Sequence, residues 1–351
     1  MKRGFDENRY IDALFADLEQ ELPKIWGRRV ESIFIGGGTP SLFSGNAMAI
    51  LVSGLRARLN LLPDIEITME ANPGTVEQEK LADFHQTGIN RLSLGVQSFD
   101  DELLRSLGRI HGGNEAVTAV ESARRAGFGN INLDMMFGLP LQTIDQAMTD
   151  IEQAIALAPD HISLYQLTIE PNTLFHHQPP TLPAEDAIWS MQESLQSRLA
   201  RNGFQQYETS AYARPGRRCH HNLNYWQFGD YLGIGAGAHG KISFADRITR
   251  TRKTRHPLRY LDLADTPGVS STETVDTDTM MLEFMMNAMR LNEGFAADLI
   301  TQRTGLPISN ILGELELAES RGLIERNATW IRPTETGKRY LNDLLQIFIR
   351  D

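Results

Sequence analysis

Short runs of β-branched and apolar residues alternate in the first half of the chain with longer segments whose apolar residues recur at helical spacing. The runs begin near Ile33, Ile65, Leu92, Ile131 and Ile162, so that successive starts lie 32, 27, 39 and 31 residues apart. This spacing is close to the period of a strand–helix–strand unit, which is roughly 30 residues. The pattern therefore predicts five parallel strands with helices between them.

Helical spacing is clearest in three segments. Residues 11–22 predict a helix before the first visible strand, although a βα barrel normally begins with a strand. After that strand, Leu51, Leu55 and Leu59 fall on one face of a predicted helix, with Asn46 as its candidate N-cap. Residues 184–203 predict a further helix.

The second half of the chain has a different character. Residues 207–212 and the glycine-rich stretch 229–240 predict short strands and tight turns. Residues 278–300 predict a methionine-rich helix that either fills a pliable core or forms an apolar surface for a cofactor or partner. The tail predicts a hairpin followed by a helix. The predicted fold class is α/β, with a partial (βα)6 barrel that lacks its first strand in residues 1–180. A barrel extension in 181–265 and a small winged-helix-like domain in 266–351 follow it.

Composition narrows the possible partners and compartment. The 351 residues include 34 Lys and Arg against 45 Asp and Glu, so the net charge of −11 disfavours nucleic acid as a partner. The start has no apolar signal-peptide core, and no run of 18 apolar residues occurs, which predicts a cytoplasmic protein with at most peripheral membrane contact. The single cysteine, Cys219, allows neither an internal disulfide nor a multi-thiolate metal site.

Polar residues and glycines follow the predicted strands where each strand ends, and parallel strands bring these ends to one edge of a sheet. Glu70 and Asp134 would offer carboxylates for hydroxyl or ammonium groups, and Gln97 an amide. Arg109 would bind a ligand carboxylate through two hydrogen bonds, unless it only meets the dipole of a helix end. The implied ligand carries an amine, a carboxylate and sugar hydroxyls.

Residues 235–240 match the spacing G-x-G-x-x-G of a dinucleotide-binding loop. That loop must open a helix, yet the next residues, KISF, begin a segment without helical spacing. We therefore expect close backbone packing or a ligand contact here, and no dinucleotide site.

Two further clusters leave alternatives open. Cys219, His220, His221 and Tyr225 lie close together in the sequence, and imidazole is a common axial ligand of haem iron. They either contact haem or another metal, or fill structural roles. Residues 247–259 hold six cations, which form either a patch for carboxylates such as porphyrin propionates or a solvated face.

Nine motifs together resemble one family. They are IFIGGGTPS, EITMEANPGT, NRLSLGVQSF, LGRIH, NINLDMMFGLP, YQLTIEPNT, YETSAYA, HNLNYW and GIGAGAHGKI, in this order from about residue 8 onward. The chain is similar to the radical S-adenosylmethionine proteins of the oxygen-independent coproporphyrinogen III oxidase type, and within them to a haem-chaperone branch. The resemblance implies a partial barrel of about six strands with a C-terminal domain.

The resemblance also implies cofactors and partners. The positions that match S-adenosylmethionine contacts are Gly37, Gly38, Thr39, Glu70, Gln97, Arg109 and Asp134, with Thr168 and His239 as weaker matches. The branch binds haem, with HNLNYW as the expected contact, and passes it to acceptor proteins such as respiratory enzymes. A 4Fe-4S cluster completes the cofactor set of this family.

The chain departs from the family at the cluster. The family carries three cluster cysteines, spaced C-x3-C-x2-C, after its first barrel strand, and this sequence begins after that point. We therefore expect the cluster only in a longer form, and no radical chemistry from the chain as written. Two alternatives to the haem chaperone are a coproporphyrinogen III oxidase and a non-catalytic remnant that binds only S-adenosylmethionine or haem.

Overall fold

The computed structural model describes residues 6–75 and 78–349. Its helices are α1 (Glu7–Glu21), α2 (Gly45–Arg58), α3 (Gln78–Gln86), α4 (Asp101–Ser106), α5 (Gly113–Arg125), α6 (Ile144–Ala156), α7 (Leu174–His177), α8 (Glu185–Arg201), α9 (His220–Trp226), α10 (Pro257–Leu263), α11 (Thr277–Ala288), α12 (Leu299–Thr304), α13 (Leu312–Ser320), α14 (Glu335–Arg339) and α15 (Leu341–Gln346). Its strands are β1 (Val30–Ile35), β2 (Leu61–Ala71), β3 (Arg91–Gln97), β4 (Ile131–Phe137), β5 (His161–Gln166), β6 (Gln205–Glu208), β7 (Ala211–Ala213), β8 (His239–Ser243), β9 (Ile248–Lys253), β10 (Ser270–Thr274), β11 (Phe295–Ala296), β12 (Ile324–Arg326) and β13 (Trp330–Pro333).

The described chain divides into two compact units. The first comprises Val30–Ala57 and the described part of Leu61–Cys219, and the second comprises residues 6–29, Arg58–Asn60 and 220–349. This division differs from the predicted boundaries after residues 180 and 265. Helix α1 belongs to the second unit, although the strand that follows it in sequence, β1, belongs to the first. The position of α1 in the sequence therefore did not indicate which elements it packs against.

The first unit contains a seven-stranded sheet in the order β1-β2-β3-β4-β5-β7-β6. Its first five strands are parallel, which confirms the predicted α/β class and the five predicted strands. The hairpin of β6 and β7 continues the sheet in antiparallel fashion beside β5. These two strands confirm the short strands predicted near 207–212.

The two faces of the parallel strands differ in polarity because successive side chains of a strand point to opposite faces. One face is apolar and fully buried, and its residues include Ile67, Met69, Leu92, Leu94 and Leu133. The other face is polar, and its residues include Thr68, Glu70, Ser93, Asn132 and Asp134. A polar face of this kind is suited to hold a polar ligand.

Helix starts follow local capping chemistry. Asp6 caps α1 by accepting a hydrogen bond from the backbone N–H of Arg9 at 3.0 Å. The cap of α2 is Ser44, whose Oγ lies 3.1 Å from the backbone nitrogen of Ala47, so the prediction of Asn46 as the cap was wrong by two residues. None of the described helices is long and apolar enough to cross a membrane.

A buried ion-pair cluster joins α1 to the three-stranded sheet β10-β9-β8 within the second unit. The Lys253 Nζ of β9 donates to Asp17 at 2.5 Å and to Glu21 at 2.8 Å, and all three side chains are almost fully buried. Tyr260 Oη donates to Asp17 at 2.8 Å. The surrounding carboxylates supply the partners that a buried ammonium group needs.

The segment 235–240 packs closely, as the sequence predicted, and opens no helix. The backbone N–H of Gly235 donates to Asp17 and to the Tyr260 hydroxyl, at 3.2 and 3.1 Å. A Cβ on Gly240 would lie 2.5 Å from Thr251 Oγ1, so a side chain there would force Thr251 to move. The structure thus supports the expectation of backbone packing at this loop.

The C-terminal part of the second unit follows a winged-helix-like order of helix, strand, two helices and hairpin. The predicted hairpin and following helix are confirmed as β12, β13 and α14. The single helix predicted over 278–300 is wrong, because α11 ends at Ala288 and β11 intervenes before α12. Gly294 lies between α11 and β11 with a φ of +74°, and a Cβ there would be 2.1 Å from the carbonyl oxygen of Ile331.

Candidate functional site

A cavity of about 150 Å³ opens at the carboxyl ends of β1 to β4, within the first unit. Its lining is almost entirely polar or glycine. The lining residues are Gly38, Thr39, Pro40, Glu70, Ala71, Asn72, Ser93, Gly95, Gln97, Arg109 and Asp134. Six of the residues predicted to hold a ligand are therefore brought together, namely Gly38, Thr39, Glu70, Gln97, Arg109 and Asp134.

The glycine-rich loop after β1 forms one wall of the cavity. Gly37 and Gly38 adopt φ values of +81° and +59°, a left-handed conformation that favours glycine. The backbone N–H of Gly37 donates to Glu70 Oε2 at 3.0 Å. A Cβ on Gly36 would lie 2.8 Å from the same oxygen, so a glycine at this position allows the contact. Gly37 therefore positions Glu70, whereas Gly38 lines the cavity.

Two carboxyl groups face the cavity, and the environment of each disfavours its charge. Burial raises the pKa of Glu70, and the nearby negative charge of Asp134 raises it further. The hydrogen bond from Gly37 lowers this pKa but does not cancel the increase. Burial also raises the pKa of Asp134, against hydrogen bonds from Asn132 and Ser93 and the positive charge of Arg91. A ligand with a cationic or hydrogen-bond-donating group relieves this cost when it binds between them.

Gln97 reaches the cavity from a strained position at the end of β3. Its φ is +70°, which is rare for a residue with a side chain and costs on the order of 1–2 kcal/mol. The parallel register with β4 shifts between Leu94 and Gln97, so the strand bulges where it meets the cavity. Backbone strain of this kind is concentrated at functional sites, which supports a ligand contact for Gln97.

Arg109 lines the cavity from the segment between α4 and α5. It lies three residues beyond the end of α4, and its side chain is half-buried. Within residues 6–75 and 78–349, no carboxylate forms an ion pair with its guanidinium. A half-buried guanidinium in a polar cavity is suited to a ligand carboxylate, so the geometry favours this interpretation over a helix-dipole role.

Three predicted S-adenosylmethionine contacts lie outside the lining of this cavity. Gly37 acts through Glu70, as described above. The Thr168 side chain is exposed, and its hydroxyl donates to Glu170 Oε1 at 3.0 Å. His239 is exposed and begins β8 in the second unit. Thr168 follows a predicted strand and His239 lies in a glycine-rich motif, but neither position by itself predicts where the side chain points.

The sequence did not single out Ser93 and Asn132 as site residues, although the structure places Ser93 in the cavity wall and Asn132 behind it. Ser93 Oγ donates to Asp134 Oδ2 at 3.0 Å, and Asn132 Nδ2 donates to Asp134 Oδ1 at 2.8 Å. A signal was available, because Asn132 precedes Asp134 by two residues and therefore shares its face of β4. Polar residues at alternate positions of a buried strand mark such a face.

The cluster of haem candidates is divided between the two units. Cys219 is buried in the first unit, with Sγ 3.6 Å from Glu66 Oε1. His220, His221 and Tyr225 lie on α9, where His220 is exposed and the other two are half-buried. The ring of Tyr225 packs edge to face against Tyr231.

Helix α9 packs on the core of the second unit through Leu223 and Trp226, which are three residues apart. His221 and Tyr225 are four residues apart and therefore share a face. At 100° per residue this face lies opposite Leu223 and Trp226. His221 and Tyr225 therefore do not lie on the side of α9 that packs on this core.

The cation-rich segment 247–259 does not form a continuous anion patch among the described residues. Lys253 is buried between two carboxylates, and Arg250 pairs with Glu283 at 2.5 Å. Arg252 pairs with Glu273 at 3.0 Å, and Arg247 with Asp246 at 2.7 Å. The carboxylate partners of Lys253 and Arg250 are distant in sequence. The sequence alone therefore suggested that more of these cations could bind an external anion than the structure allows.

Comparison with known proteins identifies the class of fold. Residues 4–154 match the model of the radical SAM superfamily, and residues 275–340 match the HemN C-terminal domain. The solved structure of coproporphyrinogen III oxidase (HemN) from Escherichia coli, a radical SAM enzyme, superposes with a TM-score of 0.82 over 99% of this chain and 84% of that chain. The two sequences are 22% identical, so this likeness concerns the fold. The class is a radical SAM fold with a HemN-type C-terminal domain.

Closer relatives are known by sequence. The chain is 49% identical over 357 residues to the heme chaperone HemW of Escherichia coli K12, and 46% identical to that of Haemophilus influenzae; each alignment covers 100% of this chain and 92% of the relative. The heme chaperone HemW of Bacillus subtilis is 34% identical, over 97% of this chain and 91% of the relative. The chain belongs to the HemW family of radical SAM proteins, as the motif resemblance predicted.

Proposed function

We propose that the chain is a haem chaperone, which binds haem as cargo, passes it to acceptor proteins such as respiratory enzymes, and holds S-adenosylmethionine in the cavity at the carboxyl ends of β1 to β4. The observation that carries the proposal is the 49% identity, over the whole chain, to a relative named a heme chaperone. The similarity to the oxidase extends to the fold alone and supports no oxidase activity. The chemistry of the cavity and of α9 supports each ligand separately.

The cavity fits S-adenosylmethionine by the chemistry of its donors and acceptors. The ligand carries a carboxylate, an ammonium group, a sulfonium centre and sugar hydroxyls. Arg109 is suited to the carboxylate, while Glu70 and Asp134 accept hydrogen bonds from ammonium or hydroxyl groups. A positive ligand also favours the ionised forms of two carboxyl groups whose pKa values burial raises.

A 4Fe-4S cluster held by three thiolates does not fit the residues of this chain. The 351 residues contain one cysteine, Cys219, which is buried beside Glu66. Such a cluster needs several cysteine thiolates. The proposal for these residues is therefore binding of S-adenosylmethionine, without its reductive cleavage.

For haem, the proposed contact is the face of α9 that carries His221 and Tyr225. Imidazole is a common axial ligand of haem iron, and His221 is half-buried opposite the face that packs on the core. His220 is exposed on an adjacent side of the same helix. Cys219 is fully buried, so its thiol is the less accessible candidate.

The haem proposal is tested by titrating haem into the chain and following the Soret band. We expect a shift that saturates at one haem per chain, and at least about tenfold weaker binding in His221→Ala because an axial ligand is lost. His256→Ala, which removes an exposed histidine elsewhere in the second unit, is the matched control. The absence of any Soret shift in the wild-type chain would refute the proposed haem function.

The cavity proposal is tested by calorimetry with S-adenosylmethionine. Glu70→Ala and Asp134→Ala should each weaken binding about tenfold or more, because each removes a charged hydrogen-bond acceptor. Asp145→Ala, which removes an exposed carboxylate at the start of α6, is the control and should bind like the wild type. Unchanged affinity in both cavity variants would show that the ligand binds elsewhere.

A further inference from the structure

Behind Asp134, three buried side chains continue a row of hydrogen bonds away from the cavity. Asn132 Nδ2 lies 2.8 Å from Asp134 Oδ1, and Asn132 Oδ1 lies 2.6 Å from His161 Nδ1. His161 Nε2 lies 2.9 Å from the hydroxyl of Tyr207. We call Asn132, His161 and Tyr207 the backing chain.

The chemistry of Asp134 sets the direction of every hydrogen bond in the backing chain. The ionised carboxylate only accepts, so Asn132 must present its NH2 group to Asp134 and its carbonyl oxygen to His161. His161 Nδ1 must then carry a proton to donate to that oxygen. The other ring nitrogen of neutral His161 accepts from the Tyr207 hydroxyl. All donors therefore point toward Asp134.

The backing chain is sealed from solvent. The exposed fractions are 2% for Asn132, 0% for His161 and 1% for Tyr207. Since buried hydrogen bonds polarise one another, each donor strengthens the next and the negative charge of Asp134 is spread along the row. Ser163 Oγ also donates to Asn132 Oδ1 at 3.1 Å, which further prevents the amide from turning over.

The other oxygen of Asp134 is held independently. Ser93 Oγ donates to Asp134 Oδ2 at 3.0 Å, and Asn132 Nδ2 also lies 2.7 Å from Ser93 Oγ. The carboxylate is thus fixed from β3 and from its own strand, β4. Only its cavity side is left to meet a ligand.

We propose that Asn132 and His161, backed by Tyr207, are positioning residues that fix the orientation of the Asp134 carboxylate for ligand binding in the cavity. The inference rests on the proposed S-adenosylmethionine site and names residues outside the lining of the cavity that determine its affinity. None of the three lines the cavity. Their effect passes through Asp134.

A matched pair of variants at His161 tests the proposal by calorimetry with S-adenosylmethionine on the full chain. His161→Leu cannot donate to Asn132, so the amide is free to turn over, and binding should weaken about tenfold. His161→Gln retains one donor and one acceptor and should bind within about threefold of the wild type. Equal affinities of the folded leucine and glutamine variants would overturn the proposal.

A double-mutant cycle separates positioning from general destabilisation. Asn132→Leu and Asp134→Asn should each weaken binding, but the double variant should be no more than about threefold weaker than Asp134→Asn alone, because Asn132 acts through Asp134. Independent effects that multiply would overturn the proposal. If the leucine variants do not fold, Tyr207→Phe is used in their place, because it removes only one hydroxyl group. We expect it to bind S-adenosylmethionine two- to threefold more weakly, roughly the effect of one weakened hydrogen bond. Binding equal to that of the wild type would overturn the proposal.

The two proposals fail in different ways. A wild-type chain that does not bind S-adenosylmethionine, or Glu70 and Asp134 variants that both bind normally, would refute the proposed cavity. Normal binding by the wild type, loss in Asp134→Asn and no loss in the backing-chain variants would refute the positioning role alone.

Discussion

Asp150 of α6 holds the loop that follows β3, and it does so as a buried carboxylate. Its Oδ1 accepts from the backbone N–H of Phe99 at 2.7 Å, and its Oδ2 accepts from Ser98 Oγ at 2.6 Å. The exposed fraction of Asp150 is 4%. This loop directly follows Gln97, whose strained backbone faces the cavity. The carboxylate therefore fixes a segment that contributes to the site.

The cost of this arrangement follows from the pKa of Asp150, which burial raises from its ordinary value of 3.8 to about 6. At 1.36 kcal/mol for each pH unit, the ionised carboxylate costs the fold about 3 kcal/mol relative to the protonated form. Because the pKa of Asp150 is higher in the folded than in the unfolded state, protonation of Asp150 stabilises the fold. This stabilisation is fully present below pH 3.8 and is lost as pH rises through 6. Asparagine cannot ionise and avoids this loss.

We therefore predict that Asp150→Asn gains stability relative to the wild type as pH rises, by about 3 kcal/mol in total and about half of that between pH 5 and pH 8. Urea denaturation at pH 5 and pH 8 measures the difference. Asp145→Asn, an exposed residue of the same helix, should show no comparable pH dependence. A stability difference between Asp150→Asn and the wild type that stays constant across this range would refute the reasoning.

Two further substitutions test the packing of the second unit. Lys253→Met removes the buried cation that Asp17 and Glu21 share, and Glu21 keeps its pair with Lys24. It should lower the free energy of unfolding by about 3–5 kcal/mol, whereas Arg252→Met at an exposed pair should cost at most about 1 kcal/mol. Equal losses in urea denaturation would contradict the buried cluster. Gly294→Ala should lower the free energy of unfolding by well over the roughly 1 kcal/mol expected for Gly305→Ala. Both glycines have a positive φ, but a Cβ would clash with the Ile331 carbonyl at Gly294 and meets open space at Gly305. Similar melting temperatures for the two variants would contradict that steric argument.

The parallel strands could be predicted from sequence because their signal is local. Runs such as IFI and INLDMMF are apolar or alternate with period two, and their spacing along the chain matches the strand–helix–strand unit. The same reasoning placed Glu70 and Gln97 at strand ends and Asp134 on the fourth strand, and the structure brings them into one cavity. Fold class and cavity thus follow from rules that act over a few residues.

Long-range partners were not predictable in the same way. Lys253 was grouped with neighbouring cations because its partners, Asp17 and Glu21, precede it by more than 230 residues. Asn132 and His161 were not singled out, since only parallel pairing of β4 with β5 places them side by side. Thr168 was expected at the site, but no local sequence pattern determines the direction of its loop.

The most direct test of the central claim is a crystal structure of the chain with S-adenosylmethionine. The account predicts the ligand in the cavity at the carboxyl ends of β1 to β4, with its carboxylate at Arg109, its other polar groups at Glu70, Gln97 and Asp134, and its body against Gly38. Ligand density at another place on the chain, with this cavity filled only by water, would contradict the account.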